Sequence, residues 1–233
     1  MYDVCMGGTL VGTTAALSEN IKGLIERNAA ELSTIEGNML SVAQNRRVKT
    51  LLFTSCNHGE GKTIAAVSMS YALSKLTNSK ILLIDGNLHK PALHDLFNIS
   101  RAPGFSDLLI KGADYESVLR PAEFKNLSIM PCGAETANPL DVYKAATFKE
   151  KLDHYKEQYD FVIVDGHSMS SSSGAAVTAR HFDGVVMVIE CEKTRWEVFA
   201  TAREKIEKVG GTLLGTVLNK RKYYIPQFLY GKI

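Results

Sequence analysis

The stretch "VKTLLFTSCNHGEGKT", residues 48–63, runs from an apolar segment through a glycine-rich turn, and its reading decides the fold. Residues 48–55 have the make-up of a buried strand. Residues 62–76, "KTIAAVSMSYALSKL", read as a helix. A strand that passes through Gly59 and Gly61 into a helix opening with Lys62 and Thr63 is the setting of a phosphate-binding loop. The glycines let backbone N–H groups turn toward phosphate oxygens, and the helix N-terminus adds a field that favours anions. Lys62 would reach the β- and γ-phosphates, and the Thr63 hydroxyl would ligate Mg²⁺. Cys56 stands where the full pattern has glycine. The tight turns near the phosphates belong to Gly59 and Gly61, so the mechanism survives that loss. The competing reading is a chance glycine-rich turn.

Outward from this loop, apolar runs alternate with helical segments. Strands are expected at 48–55, 80–85, 127–131, 161–165, 184–190 and 212–219, and helices at 62–76, 104–112, 140–159 and 194–210. In the last helix Thr194 is the expected N-cap and Gly210–Gly211 the stop. The alternation predicts an α/β fold, a mostly parallel sheet with helices on both faces. Three regions follow: an N-terminal helical segment over 1–46, a nucleotide-binding domain over 47–220, and a tyrosine-containing tail over 221–233. The helical stretch 17–43, with a break expected near Gly37, has apolar positions for packing on the main domain or on a neighbouring subunit.

Two further strands end in aspartate, Asp85 in "KILLID" and Asp165 in "FVIVD". In a parallel sheet, strand C-termini share the edge that carries the phosphate loop, so both carboxylates can converge there. The plainer alternative is that each caps a following turn.

Bulk composition narrows the function classes. The 233 residues carry a net charge of +2, which gives no support for a nucleic-acid partner. The four cysteines lack CxxC spacing, and the six histidines form no ligand pairs with them, which argues against structural zinc. Scattered cysteines, no spanning stretch and no basic n-region point to a cytoplasmic protein.

Taken in order, these motifs resemble the bacterial tyrosine kinases (BY-kinases) of capsule and exopolysaccharide synthesis, P-loop proteins related to the Min/Par ATPases. "TSCNHGEGKTIAAVSMSYALS" is similar to the family's Walker A segment, "ILLIDGNLHKPALHDLFNI" to Walker A′, and "YDFVIVD" to Walker B. "LSIMPCGAETANPLDVY", "DGVVMVIECEKT" and "LLGTVLNK" resemble its later segments, so the likeness covers most of residues 31–230. The signature lysine of Min/Par relatives is replaced by Asn57, which favours the kinase branch.

The resemblance implies an ATP and Mg²⁺ site formed by Asn57, His58, Gly59, Glu60, Gly61, Lys62, Thr63 and Ile64. It implies catalytic roles for Lys62, Asp85 and Asp165, with Asp85 the candidate acceptor of the tyrosine proton, and metal-site roles for Thr63, Asp85 and Asp165. Tyr223, Tyr224 and Tyr230 match the phosphoacceptor cluster; a solvated tail with docked aromatics is the bland alternative. The implied partners are a membrane polysaccharide co-polymerase and further copies of the chain in a ring, which would hold the protein peripherally at the inner membrane face.

Departures from the family bear on activity. Asn87 replaces the second Walker A′ aspartate, and His89 replaces the usual arginine. An amide brings no charge to Mg²⁺, a loss of about 10²–10³ in rate by analogy with other single-group removals. Gly166-His167-Ser168 replaces T-P-P and is expected to open a mobile serine-rich loop. "ELSTIEGNML" lacks the arginines of the oligomerisation motif. Two readings therefore stand: an autokinase of weak or conditional activity, and an impaired nucleotide-binding regulator of the co-polymerase.

Overall fold

The computed structural model describes residues 14–46, 48–144, 147–171 and 175–221. Seven strands form one sheet: β1 (Thr50–Ser55), β2 (Ile81–Asp85), β3 (Arg120–Pro121), β4 (Leu127–Met130), β5 (Phe161–Ser168), β6 (Gly184–Glu190) and β7 (Leu213–Asn219). Their spatial order is β3-β4-β2-β5-β1-β6-β7. All neighbours are parallel except β3, which pairs antiparallel with β4 at one edge. β1, bearing the glycine-rich turn, lies between β5 and β6.

Alternate strand residues feed two cores, one on each face. Ile81, Leu83, Phe161 and Ile163 join one core with Val67 and Leu73 of α3 (Lys62–Leu76). Leu82, Ile84, Val162 and Val164 join the other with side chains from α5 (Phe105–Ile110), α7 (Phe148–Gln158) and α8 (Trp196–Lys208). Burial on both faces is why these strands read as nearly continuous apolar runs. α8 turns Ala202 and Ile206 inward and ends at Gly210, whose φ of 84° lies in the left-handed region. There the Gly211 N–H donates to Ile206 O at 2.9 Å and the Gly210 N–H to Glu207 O at 3.0 Å, a Schellman stop.

The expected helix 140–159 is two helices, α6 (Pro139–Lys144) and α7. Tyr143 and Phe148 both enter the core with rings 5.5 Å apart. Five positions along one helix would point them about 140° apart, so the chain must turn to bury both. At the N-terminus, α1 (Glu19–Arg27) and α2 (Ala29–Arg46) break at Asn28 rather than near Gly37. Gly37 lies within α2 with open space around it, and one exposed helical glycine costs only about 1 kcal/mol. Ile25, Leu32 and Ile35 pack on the α3-side core, so these helices contact their own domain. A short α4 (Leu93–Leu96), the β3 strand and a 3₁₀ turn over Ala175–His181 carried no clear sequence signal.

Beyond Asp165, β5 continues to Ser168 with all its residues buried, where a mobile loop was expected to begin at Gly166. β5 pairs Phe53 with Asp165 and Ser55 with Ser168, so it holds one extra residue against β1. This bulge bends the strand and re-aims the side chains that follow.

Candidate nucleotide-binding site

The turn between β1 and α3 is shaped from within and from across the fold. Gly59 and Gly61 have φ of 81° and 94°, conformations that side-chain-bearing residues rarely hold. Gly61 is doubly required, because a Cβ there would collide with the Asn219 carboxamide. Glu60 is buried and accepts from the Asn57 N–H at 2.9 Å and from the Asn57 amide at 3.0 Å. The Thr194 hydroxyl donates to the same carboxylate at 2.6 Å. From the end of β7, the Asn219 amide donates to Glu60 O at 2.9 Å and Lys220 Nζ to Gly59 O at 2.7 Å. Thr194, expected as an N-cap, is thus a tie to the loop; Arg195 takes the cap position.

Lys62 and Thr63 open α3 and meet the end of β5. The Thr63 hydroxyl donates to Asp165 Oδ2 at 2.7 Å, and Lys62 Nζ lies 3.4 Å from Asp165 Oδ1. Asp165 Oδ1 is fully buried without a hydrogen bond, an oxygen still free to accept one. Burial raises the Asp165 pKa, while Lys62 and Thr63 pull against it.

Asp85 stands in direct register with Asp165 on the neighbouring strand. Its Oδ2 accepts from the Ala92 and Leu93 N–H groups, each at 2.9 Å, and its Oδ1 from the Asn87 N–H at 3.2 Å. Burial first, then the Asp165 charge, raises its pKa against these bonds. Burial of both carboxyls, and the Asp165 charge beside Asp85, disfavour ionisation of the two together. Asp85 therefore also performs the turn-capping duty that the sequence left open. Asn87 is buried, and its amide donates to Lys90 O at 2.7 Å, a bond an ionised carboxylate could not make.

Histidines complete the rim. His58 Nδ1 lies 3.3 Å from Ser168 Oγ. His167 is buried against His89 and Tyr143, with ring centroids 5.0 and 5.9 Å away. Burial, then His89, Lys62 and His58, pushes its pKa down to about 3, so the ring is neutral. Cys56 is buried beside Met187, and burial, then Glu60, pushes its thiol up to about 12.

Ile64 lies in the first turn of α3. Of the expected site residues, the phosphate loop, Asp85 and Asp165 come together at one sheet edge. Tyr223, Tyr224 and Tyr230 lie outside the described residues. Thr194, Asn219, Lys220 and His167 were missed as site residues; only Asn219 and Lys220 carried a signal, the end of a last parallel strand on the same edge.

The residues fit a magnesium-bound nucleotide. The loop is preshaped by two left-handed glycines, and beside the Thr63 hydroxyl lies an Asp165 oxygen that makes no hydrogen bond and has the Lys62 ammonium 3.4 Å away. Among the described residues no three His, Cys, Asp or Glu side chains are grouped to hold a metal alone. That suits Mg²⁺, which keeps waters and phosphate oxygens as ligands and takes only one or two carboxylates.

A mostly parallel sheet with a glycine-rich loop and two strand-end aspartates on one edge defines the P-loop α/β fold class. The AAA domain family matches residues 48–215. A Staphylococcus aureus protein described as a tyrosine-protein kinase, CapB, is 32% identical over 184 residues, 78% of this chain and 79% of that one. The tyrosine-protein kinase YwqD of Bacillus subtilis is 29% identical over 84% of this chain and 82% of its own. The solved VpsO kinase domain superposes with a TM-score of 0.78 at 29% identity, over 88% of this chain and all of that one. MinD from Pyrococcus horikoshii, solved with Mg-ADP, shares the fold at a TM-score of 0.62 and 23% identity, over 78% of this chain and 75% of that one. The chain belongs to the bacterial tyrosine-kinase family of capsular and exopolysaccharide biosynthesis.

Proposed function

We propose that the chain is an ATP-binding protein-tyrosine autokinase of weak or conditional activity, acting in the regulation of exopolysaccharide or capsule synthesis and export. In this reading the γ-phosphoryl group passes from ATP to the phenol oxygen of Tyr223, Tyr224 or Tyr230. The new O–P bond replaces the bond to the β-phosphate oxygen, ADP leaves, and the phenol proton goes to the Asp85 carboxylate. Lys62 and the loop N–H groups hold phosphate, while Thr63, Asp165 and Asp85 hold Mg²⁺ directly or through water. Bound Mg²⁺ would supply charge neutralisation on the phosphates.

The observation that carries the proposal is the Thr63–Asp165 hydrogen bond at 2.7 Å with Lys62 beside it, which ties the loop to the Walker B strand end. Reduced activity is supported by Asp85. Its carboxyl is fully buried and engaged by N–H groups on both oxygens, a poor arrangement for a base that must meet a tyrosine. The same engagement favours the second reading, an impaired nucleotide-binding regulator of a membrane co-polymerase. We place the chain in the cytoplasm, peripheral at the membrane through that partner, and as a homo-oligomer; among the described residues no helix is long and apolar enough to cross a membrane.

Incubation with Mg-ATP followed by intact-mass measurement tests the reading, with and without the cytoplasmic segment of a co-polymerase. Phosphate gained on the 223–230 segment and lost in Lys62→Met supports the autokinase. Nucleotide binding without mass gain in either condition moves the assignment to the regulator.

A further inference from the structure

His167 is 2% exposed, yet neither ring nitrogen has a hydrogen-bond partner. Every imidazole carries at least one N–H donor, and a buried donor left unpaired is unfavourable unless a ligand completes it. The β5 bulge sets the position. Asp165 is still in register with Phe53, but Ser168 is opposite Ser55, so Gly166-His167 absorbs the extra residue directly beyond the Walker B carboxylate. The His167 carbonyl accepts from the buried Thr54 hydroxyl, which pins the backbone there. Its ring packs against exposed His89 and buried Tyr143.

An anion suits the missing partner. No three metal-ligating side chains are grouped among the described residues, so a histidine-held metal does not fit. The nearest established anion geometry is the phosphate loop itself, whose Lys62 and Thr63 contact the carboxylate two residues before His167. Lys62 of such a loop serves the β- and γ-phosphates, so a group beyond Asp165 meets the terminal phosphate rather than the nucleoside.

We propose that His167 is a phosphate-binding residue that donates its ring N–H to the terminal phosphate of a bound nucleoside triphosphate, with the exposed His89 ring packed beside it. The chain therefore distinguishes triphosphate from diphosphate through a side chain the motif does not include. This inference rests on the nucleotide-binding reading above.

The test compares calorimetric binding of Mg-ADP and of a non-hydrolysable Mg-ATP analogue to the native chain, His167→Ala and His167→Gln. Loss of one hydrogen bond predicts that His167→Ala weakens the triphosphate analogue by about tenfold and ADP little, with partial recovery in His167→Gln. Independently of any variant, ¹⁵N-edited NMR of the histidine side chains of the native chain should show the His167 ring signal moving with the triphosphate analogue and not with ADP. Binding of both nucleotides with an unchanged ratio in the variants and an unmoved ring signal overturns this inference alone. Failure of both nucleotides to bind the native chain overturns the nucleotide reading together with it.

Discussion

Thr63 and Asp165 stand 102 positions apart in sequence and are joined by a 2.7 Å hydrogen bond. The bond ties the first turn of α3 to the end of β5 and sets the loop against the Walker B carboxylate. Thr63→Ala removes the donor and leaves Asp165 buried with Lys62 as its remaining partner. Denaturant unfolding should show a loss of about 1–3 kcal/mol, and calorimetry at least a tenfold weaker Mg-nucleotide affinity. Unchanged affinity would remove Thr63 from the metal site.

Asp85 and Asp165 make stability depend on pH. Burial, then the Asp165 charge, lifts the folded Asp85 pKa to about 7, against about 3.9 in the unfolded chain. The folded state binds more protons between those values, so this contribution is full below about pH 4 and is lost as pH rises toward 7. Asp165→Asn removes the like charge and should flatten the decline. Parallel stability curves for the two proteins over that range would contradict the coupling.

Asp183 behaves in the opposite sense. Burial pushes its pKa up, but hydrogen bonds from the Lys49 N–H, Lys156 and Thr50 outweigh it and leave the value lowered. The resulting stability is present above the unfolded value near 3.9 and fades as pH falls through the folded one. Asp183→Asn should cost about 1–3 kcal/mol at neutral pH, and less in acid, by urea titration.

Asn87→Asp separates charge from loop geometry. The change restores the family carboxylate but removes the amide that donates to Lys90 O at 2.7 Å. Phosphorylation rate should rise, by up to about 10²-fold if the missing charge limits it, while stability drops by about 1 kcal/mol. A rate that does not rise in a folded variant rules out Asn87 as the cause of weak activity.

Cys56, with its thiol pushed up to about 12, stays protonated and buried near neutral pH. Alkylation of the native chain followed by mass mapping should label half-buried Cys191 well before Cys56. Rapid labelling of Cys56 would mean that the loop opens without nucleotide.

Much of the architecture was legible because its signals are local. Val162 and Val164 on one face and Ile163 on the other make the first half of β5 apolar throughout, as double burial requires. Gly59 and Gly61 announce a loop with left-handed turns that favour glycine. The split between α6 and α7 was hidden, because the inward turn of Phe148 depends on Phe105 and Phe182 from distant segments.

By itself the sequence determined an α/β sheet with a phosphate loop at its carboxyl edge, since strand period, glycine placement and apolar runs act over a few residues. Only the tertiary structure decided that Asn219 and Thr194 reach Glu60 across 159 and 134 positions, that Asp85 is consumed by backbone N–H groups, and that a bulge buries His167. Those outcomes depend on which side chains meet when strands pair and on which polar groups then lose water, and neither is encoded in local spacing.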